Sequence, residues 1–112
     1  MNFNETDEFS HDFKRLSKKY KSLSDDLLEF KKVVSEFPIG IRKHFTVLIE
    51  RETVKIIKGR LFCRYLKGSS LRIIYAYCES KHRVEFIQLY FKGEKESEDR
   101  NRIKNYIKIK GI

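Results

Sequence analysis

Along the first forty residues the apolar positions recur at helical spacing. Phe9, Phe13, Leu16 and Tyr20 fall on one helical face, with the charged residues of "HDFKRLSKK" between them. After a break at "KYKSLS", Leu23, Leu27, Phe30, Val34 and Phe37 form a second stripe. Ser22 or Ser24 stands where its N-cap belongs, Asp25 and Asp26 fall in the first turn, Lys31 and Lys32 lie beyond, and "PIG" stops it. A loop this short predicts an antiparallel helical hairpin.

After Gly40 the period shortens to two. "HFTVLIE", "VKIIKGRLFCRYL", "LRIIYAYC" and "VEFIQLYFK" are rich in β-branched and aromatic residues, with "KGSS" and "ESKHR" as the intervening loop and turn. This pattern predicts an antiparallel meander, to which "NFNE" adds an edge strand through Phe3. "SEDRNRIKNYIKIKG" predicts a short closing helix with Ser97 as N-cap, Glu98 and Asp99 in the first turn, Ile103 and Ile107 inward and Gly111 past its end. The expected fold class is α+β: an N-terminal helical hairpin packed on one face of a small antiparallel sheet, followed by a short C-terminal helix. A chain of 112 residues suits one domain, residues 1–112, with a single modest core.

Charge changes this picture, because it is unevenly placed. Residues 1–40 hold 7 Lys/Arg against 8 Asp/Glu, whereas residues 41–112 hold 18 against 8. Within residues 51–92 the count is 10 against 3, and no nearby acid answers Lys58, Arg60, Arg64 or Arg72. Strand alternation sets Lys58, Arg60 and Arg64 on one side and Ile57, Leu61 and Cys63 on the other. If the helices cover the apolar side, the second face is open and cationic, with Arg72 and Lys92 adding to it. A face of one sign suits a polyanion or an acidic protein partner, although basic side chains also discourage edge-to-edge aggregation.

Other chemistry is thinly supplied. Cys63 and Cys78 lie inside apolar runs without metal-ligand spacing and are expected as buried free thiols, so no metal or other cofactor is expected. His11, His44 and His82 lack nucleophile or ligand partners and are expected at the surface. No Walker-type loop, G-x-S-x-G or carboxylate pair is present. No apolar run approaches the roughly 20 residues needed to span a bilayer, and "MNFNETDEF" lacks signal-peptide character, so a cytoplasmic protein with no membrane partner is expected.

The order helix, helix, meander, short helix, with "DEFSHDFKRLSKKY", "IKGRL", "SLRIIYAY" and "IQLYFKGEK" in sequence, resembles the RelE/ParE superfamily of type II toxin–antitoxin toxins. The resemblance covers nearly the whole chain and implies a toxin domain whose concave sheet surface cleaves messenger RNA on the ribosome without a metal. Lys58 and Arg60 match two basic positions two apart on the first long strand, and Arg72 matches the arginine before "IIYAY"; the segment between Arg60 and Arg72 is longer than in the best-known members. RNA cleaves when its 2′-hydroxyl attacks the adjacent phosphate, so a protein need only move protons and stabilise the charge. Lys58, its charge disfavoured by neighbouring arginines, is the candidate base or proton shuttle, and Arg60 and Arg72 are the candidate phosphate clamps. Arg64, Tyr90, Lys92 and Lys95 are candidate substrate-binding residues, with Tyr75 a second stacking candidate.

The sequence departs from those members after the last strand. Where they have a further arginine and then a tyrosine or histidine, it has Gly93 and Asp99. Lys92, Lys95, Tyr90 and Tyr106 are the candidate substitutes, and the general acid and base stay open. The expected partners are messenger RNA, the ribosome and a cognate acidic antitoxin. The alternatives are a ParE-like inhibitor of DNA gyrase that acts by binding alone, and a degenerate member with neither activity.

Overall fold

The computed structural model describes residues 1–67 and 70–112, with Arg42 described by its backbone alone. Gly68 and Ser69, in the loop expected at "KGSS", lie outside the described residues. Helix α1 (Asp7–Lys19) starts where the Thr6 hydroxyl accepts the Phe9 N–H at 3.1 Å, and has Asp7 and Glu8 in its first turn and Lys18 and Lys19 in its last, matching the helix dipole. Helix α2 (Leu23–Glu36) follows after a three-residue connection. Ser22 occupies its N-cap position but does not cap it. Its hydroxyl donates to Asp26 at 2.6 Å and accepts the Tyr65 N–H at 3.2 Å, tying the helix start to the chain beyond the third strand. Leu23, Leu27, Phe30 and Val34 are buried as their spacing predicts, while Phe37, at the C-cap, is 49% exposed.

Five strands form one sheet in the order β1-β5-β4-β3-β2: β1 Asn2–Glu5, β2 Phe45–Glu50, β3 Lys55–Phe62, β4 Ser70–Cys78 and β5 Arg83–Phe91. The last four make the expected meander. Residues 2–5 are the edge strand expected at "NFNE", but β1 runs parallel to β5, with Phe3 beside Val84, so the sheet is mixed rather than antiparallel. The helical hairpin carries the chain away from β1 before the meander begins, which leaves β5 as the neighbour it meets. A bulge in β5 breaks the β4–β5 register between Ile74↔Gln88 and Tyr75↔Phe86 and leaves Ile87 as the extra residue.

Two apolar clusters lie on opposite faces of this sheet. On one, α1 and α2 bury Phe9, Leu16, Leu23, Leu27, Phe30 and Val34 against Ile57, Leu61, Leu71, Ile73, Tyr75, Phe86 and Leu89. On the other, α3 (Arg100–Lys110) sets Ile103 against Ile56, Ile74, Ala76, Ile87 and Tyr90. The second face is therefore partly covered, not open as the strand alternation suggests. Helix α3 also starts later than expected. Asp99 is its N-cap, accepting the Arg102 N–H at 3.0 Å, and its first turn holds no acid. Ser97 is exposed, and Glu98 is drawn instead into the sheet. Gly111 closes α3 with φ 72°, a conformation that glycine adopts without strain.

Candidate functional site

The second face is cationic where α3 does not reach. The pairing aligns Arg60 of β3 with Arg72 of β4, and Arg72 with Tyr90 of β5, so the three form one row across the sheet. Lys58, Ile74 and Gln88 form the next row. Strand alternation points both rows away from α1 and α2, which is how residues twelve positions apart in sequence come to share one surface. Arg60 is exposed. Arg72 is half-buried, and its guanidinium donates to the Ser70 hydroxyl at 2.7 Å and the Ser70 carbonyl at 3.3 Å, which fixes the fork's direction. Burial, and then the Arg60 charge, pull Arg72 below its ordinary pKa, though it remains a cation at neutral pH. Among the described residues neither arginine has an ion pair.

Lys58 is different. Its ammonium lies 3.0 Å from a carboxylate oxygen of Glu98, whose side chain is 3% exposed, and Arg100 lies 3.0 Å from the other oxygen. The expectation that no acid answers Lys58 is thus wrong: the answering group comes from the residue just before the N-cap of α3. Burial works against the Glu98 charge, but its own backbone N–H, Lys58 and Arg100 outweigh that and hold its carboxyl below the ordinary value. The start of α3 is also held by Gln88, whose side-chain oxygen accepts the Asp99 N–H at 2.8 Å.

The remaining candidates scatter. Arg64 does not share the face of Lys58 and Arg60, because β3 ends at Phe62 and residues 64–66 form a turn of 3-10 helix. Its guanidinium points to the helix side, with Nε 3.8 Å from buried Asp26. Lys92 and Lys95 are exposed after β5, and Lys95 sits 4.0 Å from Asp99. Tyr90 is in the row but only 4% exposed, packed among Ile56, Ile74 and Ile103, so little of its ring is open to a base. Burial and then Glu98 push its hydroxyl pKa up. Tyr75 is fully buried on the helix side and donates to the Pro38 carbonyl at 2.7 Å. Tyr106 donates to Glu85 at 2.7 Å, away from the arginine row.

Three residues of interest carry no site signal in the sequence. Glu98 and Arg100 are hidden in "ESEDRNR", which reads locally as a helix start. His44, expected at the surface, is half-buried beside β2; its ring stands edge-on to Phe62, with centroids 5.1 Å apart, and its Nδ1 is buried without a partner. Phe62 lies two residues from Arg60 on the same face. Cys63 is a buried free thiol as expected, whereas Cys78 is only half-buried. Among the described residues no three His, Cys, Asp or Glu side chains converge as a metal site. Among the described residues no helix is long and apolar enough to cross a membrane.

A helical pair on one face, a β-meander, and a short third helix against the other face define a RelE-like fold. The chain is similar to RelE in the crystal structure of the archaeal RelE–RelB complex from Pyrococcus horikoshii OT3, with a TM-score of 0.62 over 82% of this chain and 94% of that one, at 17% identity. No protein-family model matches the chain. No curated protein matches it either.

Proposed function

We propose that the protein is the toxin of a type II toxin–antitoxin pair, a metal-independent endoribonuclease that cleaves messenger RNA on the ribosome in the cytoplasm. One observation carries this reading: on a RelE-like fold, Arg60 and Arg72 stand side by side on a sheet face, with no carboxylate paired to either among the described residues. Two adjacent guanidinium forks suit the oxygens of one phosphodiester and the negative charge that grows on it during attack. Lys58, one row away, is the proton shuttle: the 2′-hydroxyl loses its proton to water as its oxygen bonds to phosphorus, and the lysine gives a proton to the 5′-oxygen as that bond to phosphorus breaks, then regains one from solvent. Lys92 and Lys95 extend the cationic path along the RNA backbone. The partner is a cognate antitoxin with an acidic segment that compensates this face.

The test is induced expression in cells, with protein synthesis, DNA synthesis and transcript integrity followed separately. Translation should stop first, with transcripts cut where ribosomes stand. Arg60→Ala, Arg72→Ala and Lys58→Ala should each lower cleavage by about 100-fold or more, the usual cost of removing one positioned charge-stabilising group. Early arrest of DNA synthesis with intact transcripts would replace this reading with gyrase inhibition. Folded variants that keep full toxicity would remove these residues from the site.

A further inference from the structure

A buried carboxylate against the face proposed to bind phosphate needs an explanation. The Glu98 side chain is 3% exposed, and each of its oxygens faces a cation at 3.0 Å, Lys58 on one side and Arg100 on the other. Arg100 is 75% exposed, so it reaches Glu98 from the solvent side. An ordinary structural pair would need one cation. Here two cations from different elements converge on one carboxylate, much as they would on two oxygens of a phosphate.

We infer that Glu98 is an internal counter-ion that competes with the substrate phosphate for Lys58 and Arg100. It is a positioning residue: with the site empty it holds both cations in place and lowers the charge of the face. When a nucleic-acid strand lies along Arg60 and Arg72, a phosphate takes over one or both cations. This inference rests on the reading of the face as an RNA site. It sets how tightly the toxin holds RNA away from the ribosome, because part of the binding free energy goes into displacing Glu98.

The experiment measures binding of a single-stranded 2′-O-methyl RNA oligonucleotide, which cannot be cleaved because its nucleophile is blocked, across a salt series. Glu98→Gln keeps the size and an acceptor for Lys58 but removes the competing charge. It should bind the probe on the order of tenfold more tightly. Its salt dependence should steepen by about 0.7 in log–log slope for each further phosphate that the freed cations engage. Arg100→Ala, at an exposed position that a folded chain tolerates, should bind more weakly and with a shallower slope. A merely structural Glu98 would move thermal stability without moving the slope. If the wild type binds through Arg60 and Arg72 while Glu98→Gln binds no tighter, the counter-ion role is overturned and the RNA reading stands. If Glu98→Gln fails to fold, Arg100→Ala decides alone, and unchanged affinity and slope overturn the inference. If neither the wild type nor Glu98→Gln binds the probe, both readings fall.

Discussion

The contact that fixes α3 over the sheet is the place where a small change should have the largest effect. The Asp12 carboxylate of α1 accepts two hydrogen bonds at one oxygen: the Arg102 guanidinium at 2.7 Å and the Leu89 backbone N–H at 3.0 Å. Arg102 also donates to the Ile87 carbonyl at 3.1 Å, so the pair spans the β5 bulge and joins helices on opposite faces of the sheet. Asp12→Ala orphans the Leu89 N–H, which costs about 1–3 kcal/mol, and strips a buried cation of its partner, which costs about 3–5 kcal/mol when burial is complete. The two side chains keep 19% and 14% exposure, so water recovers part of both terms. A net loss of about 3 kcal/mol is expected, or roughly 12 °C in melting temperature for a chain of this size. Arg102→Met should cost less, about 1.5 kcal/mol, because Asp12 keeps its backbone donor. The double variant should then show a coupling energy of at least about 1 kcal/mol in a denaturant cycle. An Asp12→Ala protein that melts within about 2 °C of the wild type, or a cycle additive to within about 0.5 kcal/mol, would refute this account of how α3 is held.

Three further outcomes can be checked on the same purified protein. A Cβ at Gly59 would lie 2.8 Å and 3.0 Å from the Phe45 ring and 3.3 Å from Phe30, so Gly59→Ala should destabilise by about 1–3 kcal/mol in urea titration through overpacking. Tyr75→Phe should cost about 1 kcal/mol by losing the bond to Pro38. Burial raises the Tyr75 pKa in the folded state, so its contribution is complete below about pH 10 and lost above it, and the variant should lose less stability than the wild type as pH rises from 10. Glu98 has the opposite sign: its folded pKa is depressed, so its contribution is present above the unfolded value of about 4.3 and lost as pH falls through the folded value. Glu98→Gln should therefore flatten the acid limb of the unfolding curve below about pH 4.5, and an unchanged limb would mean the ion pair contributes nothing to stability.

Much of the fold is legible because each main element carries its own period. The α1 and α2 stripes are buried at Phe9, Leu16, Leu23, Leu27, Phe30 and Val34, and the meander follows the alternation of its strands. The misses come from partners distant in sequence. Four residues of β1 carry no signal for strand direction, which depends on what the chain does eighty positions later. Arg64 continues the alternation of β3 on paper, but the Ser22 hydroxyl takes the Tyr65 N–H and the chain turns off into a 3-10 helix at that residue. The sequence points to a cap of α3 two residues early because "SED" offers two N-cap residue types, Ser97 and Asp99. Only the anchors from Lys58 to Glu98 and from Gln88 to Asp99 decide which of them caps.

The charge of the second face shows why the site is only half legible. Counting Lys and Arg within a window measures what a segment would attract as an unfolded chain, whereas a folded face shows what remains after long-range partners are subtracted. Lys58 and Glu98 are 40 positions apart, and Arg64 meets Asp26 across 38. Both acids lie outside the basic window, and both are nearly fully buried against it. Of Lys58, Arg60, Arg64 and Arg72, the subtraction leaves Arg60 and Arg72, which the strand register sets directly opposite each other. Like charges opposed across a pair of strands are destabilising. Ser70 orients one of the two, and among the described residues no carboxylate relieves the other. A sheet under selection for stability alone would separate such a pair or supply an acid, as it does for Lys58 one row away. The unrelieved pair is what an anion arriving from outside would neutralise.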